Sequence, residues 1–164
     1  MILHLLRHAE AEERSPAQLD EERRLTHAGE ERMRLVARAI AAMEPGYGAI
    51  LVSPLVRARQ TAEPVAKACG FGRKLVETEA LAPGADPEAV LHEVARGGWR
   101  TVLLVGHQPH LGRLFGRLLT GREGFDVPMR KASLAGFECE RDPALGKVEL
   151  RFYLPPRLLE RLAG

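Results

Sequence analysis

The stretch Thr101-Val102-Leu103-Leu104-Val105-Gly106-His107-Gln108-Pro109 decides how this chain folds. Its first six residues carry no charge. A short unbroken apolar run of this kind reads as a strand buried on both faces, the habit of a parallel sheet. Beyond it, Pro109 to Leu119 reads as a helix. A strand leading straight into a helix is the repeating unit of an α/β fold.

Working outward, the alternation recurs. Ile2–Leu6 is a second apolar run, and Met33, Val36, Ala37 and Ile40 mark an amphipathic helix from about Ala28 to Met43. Thr26 is its expected N-cap and Pro45-Gly46 its end. Ala49–Ser53 is the next strand, with Ser53 expected to cap a helix that has Pro54 at its first position. Lys74–Glu77 reads as a short strand, and Asp86-Pro87 opens a helix to about Arg96. Leu134–Cys139 and Val148–Leu154 read as strands joined by a turn at Asp142–Gly146, and Pro155-Pro156 starts a terminal helix. The pattern predicts one domain over residues 1–164, three layers α/β/α around a mostly parallel sheet.

Composition narrows the function classes. In 164 residues, 45% hydrophobic and 28% charged side chains describe a globular chain, not a disordered or coiled-coil one. Lys+Arg of 24 against Asp+Glu of 22 leaves only +2, too little for the basic stripe of a nucleic-acid binder. Of those cations 20 are Arg, whose planar fork binds phosphate in a two-pronged way that Lys does not match. Two cysteines, Cys69 and Cys139, are too few for a disulfide framework. The apolar opening stops at Arg7, short of a signal peptide or membrane span. The expectation is a soluble cytoplasmic protein.

Three strands end in residues that carry chemistry: Arg7-His8 after the first, Ser53-Pro54-Leu55-Val56-Arg57 after the second, and Gly106-His107 after the central run. Ligands of open α/β sheets bind beyond the carboxyl ends of strands, so neighbouring parallel strands gather two histidines and two arginines at one point. Arg57 falls in the first turn of its helix, where free N–H groups already favour an anion. Taken singly, each is an ordinary surface or core residue; jointly they make a pocket for a doubly charged phosphoryl group.

Other phosphate chemistries fail on spacing. No Gly-x-x-x-x-Gly-Lys-Ser/Thr loop exists. A cysteine phosphatase needs Arg six positions after its Cys, where this chain has Leu75 and Leu145. Gly70-Phe71-Gly72 is no dinucleotide fingerprint. His107 and His110 have no carboxylate or cysteine cluster beside them to complete a metal site.

Four segments stand in a telling order: Leu6-Arg7-His8-Ala9-Glu10-Ala11, Arg24-Leu25-Thr26-His27-Ala28-Gly29, Ser53-Pro54-Leu55-Val56-Arg57-Ala58-Arg59-Gln60-Thr61-Ala62 and Val105-Gly106-His107-Gln108-Pro109-His110-Leu111. Together they resemble the histidine phosphatase, or phosphoglycerate mutase-like, superfamily, and within it the small SixA-type phosphohistidine phosphatases. They span about the first two-thirds of the chain. Ala9 stands where most of the wider superfamily has Gly, a form that looks typical of the SixA-like branch.

The resemblance implies a phosphoglycerate mutase-like fold and a phosphatase in which His8 takes the phosphoryl group. Arg7, Arg57 and His107 would hold the non-bridging oxygens, with no metal and no cofactor. A backbone carbonyl is expected on the second ring nitrogen of His8, setting its tautomer. Arg23 or Arg24 is a weaker candidate for a further phosphate contact, weighed against an exposed charge ahead of a helix. Arg59 should point away.

The general acid is the open position. Esters have poor alkoxide leaving groups, so their enzymes place a carboxylic acid at the bridging oxygen. In mutase-like relatives it follows the third strand, the region Glu77–Asp86 here. Glu79 lies there without matching the acid position, Asp86 reads better as a helix cap, and Glu10 and Glu12 lie near the pocket rim or in solvent. A phosphohistidine loses an imidazole, which departs easily. The preferred substrate is therefore a phosphohistidine on a protein partner, and the alternative a small phosphate monoester or nucleotide-type metabolite. A non-catalytic phosphate-binding protein is the third reading.

Overall fold

The computed structural model describes residues 1–164. Strand and helix alternate from β1 (Ile2–Arg7) through α1 (His27–Ala42), β2 (Ala49–Val52), α2 (Val56–Ala68), β3 (Val76–Glu77), α3 (Ala89–Gly97), β4 (Thr101–Gly106) and α4 (His110–Thr120). The chain closes with β5 (Leu134–Glu138), β6 (Glu149–Leu154) and α5 (Pro156–Leu162), and short 3-10 turns stand at Asp20–Glu22 and Glu79–Leu81. No helix is long and apolar enough to cross a membrane.

One sheet runs in the order β3-β2-β4-β1-β5-β6. The first four are parallel neighbours, and β5 and β6 add an antiparallel edge. Because side chains alternate along a strand, each central strand feeds two cores. Leu6, Ile50, Val52, Leu103 and Val105 pack with Met33, Val36, Ala62 and Leu159 of α1, α2 and α5. Leu3, Leu5, Leu51, Val102 and Leu104 pack with Val90, Leu114 and Phe115 of α3 and α4. The handedness of parallel crossovers accounts for this split: the chain moves one way across the sheet through α1 and α2 and returns through α3, which places the returning helix on the other face. The result is the three-layer α/β/α, phosphoglycerate mutase-like arrangement.

Local readings hold with two corrections. Thr26 Oγ1 does accept the Gly29 N–H at 3.1 Å, capping α1. Ser53 is not a cap: α2 begins at Val56 after Leu55, Pro54 stays outside it, and no side chain caps its start. Asp86 accepts from the Glu88 N–H at 3.1 Å, but α3 starts only at Ala89.

Gly29 marks where α1 crosses the end of β1. A Cβ there would lie 2.2 Å from the Glu10 carbonyl oxygen, so only glycine permits the approach.

Candidate active site

The switch point of the sheet lies where β4 inserts between β1 and β2. Arg7 pairs with Gly106 in the β1–β4 register, so the next residues, His8 and His107, leave the sheet side by side. Their rings lie 5.0 Å apart between centroids, and both are buried. His8 Nδ1 is 2.7 Å from the Ala9 carbonyl oxygen. A carbonyl only accepts, so Nδ1 carries the proton and the lone pair sits on Nε2, which has no hydrogen-bond partner in the protein. The carbonyl expected on the second ring nitrogen is present.

His107 Nε2 meets Ser53 Oγ at 2.8 Å, and its Nδ1 is buried without a partner. Arg7 Nη1 donates to the Met129 carbonyl at 2.6 Å, while its Nε is buried and unpaired. Arg57, with only 4% of its side chain exposed, donates from Nη1 to the Asp20 carbonyl at 2.6 Å and from Nη2 to Asp20 Oδ2 at 2.9 Å; its Nε is also buried and unpaired. Buried donors without partners are uncommon in folded proteins. Here they include one nitrogen on each of the three residues that the resemblance assigns to the oxyanion, together with both ring nitrogens of His110.

Electrostatics keep both imidazoles neutral. Burial lowers His8 to about 4; the Ala9 carbonyl works against this, and Arg57, Arg7 and Lys131 work with it. Burial pushes His107 down to about 2, helped by His8, Arg57 and His110 and opposed by Asp20. Neutral imidazoles among guanidiniums offer lone pairs and positive potential together, the combination that a nucleophile for an anionic phosphoryl group needs.

The weaker candidates divide. Arg23 joins the cluster through Asp20, its Nε donating to Oδ1 at 2.9 Å and its Nη1 to the Glu12 carbonyl at 2.6 Å. Arg24 is exposed and contributes only its backbone N–H, to Glu12 Oε2 at 3.0 Å. Arg59 pairs with Glu77 at 3.3 Å, away from the cluster as its helical position requires. Glu79 is exposed on the turn after β3, and Asp86 is paired with Arg117 at 3.4 Å. His110 is buried, and no group of three or more His, Cys, Asp or Glu side chains is placed to hold a metal ion.

Sequence reasoning missed Asp20 and the partner role of Ser53. It also missed Thr61, whose Oγ1 accepts from Ala9 N–H at 3.1 Å and donates to the Arg57 carbonyl at 2.7 Å. Ser53 and Thr61 stand inside the segment that carries Arg57, which was a signal for them. Asp20 had none, lying in a polar stretch without period.

A family model described as the histidine phosphatase superfamily (branch 1) matches residues 3–82, the segment holding Arg7, His8 and Arg57. The chain belongs to the histidine phosphatase superfamily. As a member it is a phosphatase, a hydrolase. An uncharacterised protein of Picosynechococcus sp. is 36% identical to this histidine phosphatase over 141 residues, which cover 83% of this chain and 84% of that one. The solved structure of the protein histidine phosphatase SixA, complexed with tungstate, matches with a TM-score of 0.83 at 24% identity, over 96% of this chain and 98% of its own. A phosphoserine phosphatase from Entamoeba histolytica, in complex with phosphoserine, matches with a TM-score of 0.71 at 16% identity, over 96% and 98%. Both likenesses are of fold.

Proposed function

We propose that residues 1–164 act as one SixA-type phosphohistidine phosphatase domain in the cytoplasm, removing phosphate from a phosphohistidine on a partner protein. In this reading His8 Nε2 attacks the phosphorus as the P–N bond to the partner's imidazole breaks, and that imidazole takes a proton from solvent. Arg7, Arg57 and His107 hold the three non-bridging oxygens, where charge must be stabilised. Water then attacks phospho-His8, the new P–N bond breaks, and phosphate leaves.

The observation that carries the choice of substrate is that the buried polar side chains include four histidines and one arginine but no carboxylate. A general acid works with a raised pKa, which burial supplies, and no Asp or Glu here has that environment. An imidazole leaving group needs no such acid. The free thiols Cys69 and Cys139 accord with a reducing compartment.

Phosphate release from a phosphohistidine protein, run beside a panel of phosphate monoesters with wild type and His8→Ala, tests the reading. Release favouring phosphohistidine and reduced roughly 10³-fold or more in His8→Ala is expected. Activity surviving in His8→Ala would remove the nucleophile from the scheme. The second reading, a small-monoester phosphatase, is favoured by one observation, that Glu79 stands at the carboxyl end of β3 on the same sheet edge. Faster turnover of an ester would select it.

A further inference from the structure

The segment between β1 and α1 reaches the site through one carboxylate. Asp20 takes both terminal nitrogens of Arg57, one on its backbone carbonyl and one on Oδ2, while Oδ1 holds Arg23 and also receives Arg14 Nε at 3.0 Å. Arg23 continues to the Glu12 carbonyl, and Glu12 Oε2 holds Gln18 Nε2 and the Arg24 N–H. On the other side, Arg57 is tied through its own carbonyl and Thr61 Oγ1 to the N–H of Ala9, next to His8. These bonds close a ring: Ala9, Thr61, Arg57, Asp20, Arg23, Glu12, and back along the chain to Ala9.

Glu12 enters that ring through its backbone carbonyl, so Asp20 is the one member whose carboxylate closes it. Asp20 is held below its ordinary pKa: burial alone would raise it, but the hydrogen bond and charge of Arg57, with Arg23 and Arg14, outweigh burial. It is therefore an anion in the site, gripping the two outer nitrogens of Arg57 and leaving Nε as the one nitrogen of that guanidinium without a partner.

We infer that Asp20 is a positioning residue, which fixes the guanidinium of Arg57 for phosphoryl transfer and offsets its charge so that product phosphate is not held. The inference rests on the proposed phosphatase site. Two consequences follow that a purely structural contact would not produce together. Neutralising Asp20 frees Arg57 to meet the anion in many poses, which lowers turnover, and it leaves an additional net positive charge, which tightens phosphate.

The test compares wild type with Asp20→Asn and Asp20→Ala. Asp20→Asn keeps the backbone carbonyl and an acceptor for Arg57 while removing the charge, so the ring is least disturbed. Steady-state turnover of a phosphohistidine protein, or of whichever monoester wild type cleaves, is measured beside calorimetric binding of inorganic phosphate. Expected for both variants is kcat reduced about 10-fold or more with phosphate bound 3- to 10-fold more tightly, an order set by one surface-to-half-buried charge contact. If kcat and phosphate affinity fall together, or neither moves, Asp20 is structural and the inference is overturned. An unfolded Asp20→Ala leaves Asp20→Asn to decide. A wild type that neither binds phosphate nor cleaves any phosphate compound overturns the site reading itself, and this inference with it.

Discussion

His107 Nε2 lies 2.8 Å from the hydroxyl of Ser53, a bond across two adjacent parallel strands and buried at both ends. It fixes the ring that faces His8. With Ser53→Ala, His107 keeps its place in the packing but loses its only hydrogen-bond partner. Leaving a buried polar group unpaired costs about 1–3 kcal/mol. The expected outcome is an unfolding free energy, read from urea denaturation, lowered by that amount and a kcat lowered about 10-fold. Unchanged kinetics with lowered stability would show that the bond serves folding alone.

Stability should depend on pH through the buried histidines. His4 and His8 are lowered to about 4 and His107 to about 2, each chiefly by burial. Their unfolded forms take up protons near 6.5, so below that pH the unfolded chain binds more protons than the folded one. Stability is full above about pH 6.5 and is lost as pH falls toward the folded values, by about 1.4 kcal/mol per pH unit for each histidine that stays neutral. Chemical denaturation at pH 7.5, 6.0 and 5.0 measures it. A flat profile across that range would contradict the buried, neutral state of these rings.

At Gly29 two effects oppose each other. Alanine favours helix over glycine by about 1 kcal/mol. The added Cβ, however, meets the Glu10 carbonyl at 2.2 Å, and neither α1 nor the end of β1 can shift without moving Ala9 and Thr26. Overpacking of this kind costs about 1–3 kcal/mol, so Gly29→Ala should destabilise on balance. Because the collision lies two residues past His8, turnover should fall with it. A more stable variant would show that the helix term wins.

Glu79→Gln separates the two substrate readings without touching the fold, since the side chain is exposed. On a phosphohistidine protein its kcat should stay within about 2-fold of wild type. A loss of about 10²-fold or more on a monoester, the range of a lost general acid, would place a proton donor there.

Much of the fold was legible because it rests on short-range patterns. The apolar runs at Ile2–Leu6 and Thr101–Gly106 and the period of Met33, Val36 and Ile40 state their own burial, and the site lies where such runs stop at Arg7, His8 and His107. Asp20 was illegible for the opposite reason. Its hold on Arg57 joins positions 37 residues apart, through a stretch of mixed charges where no periodicity distinguishes one carboxylate from the next. Ser53 misled because Ser-Pro is a common helix opening. The hydroxyl is instead taken by a histidine on the neighbouring strand, a pairing that only the position of β4 reveals.

That position also governs how the molecule can be made. β1 hydrogen-bonds only to β4 and β5, and β2 only to β3 and β4. A nascent chain that has emerged only as far as Arg100 holds β1 and β2 without the strand that pairs with both. The sheet closes when Thr101–Gly106 arrives between them, pairing Ile2 with Thr101 across nearly a hundred residues. Until then, two apolar strands wait with open edges, the condition in which strands pair with other chains. Assembly of the edge that carries His8 and His107 thus waits for β4, and the other edge of β1 stays open until β5 follows.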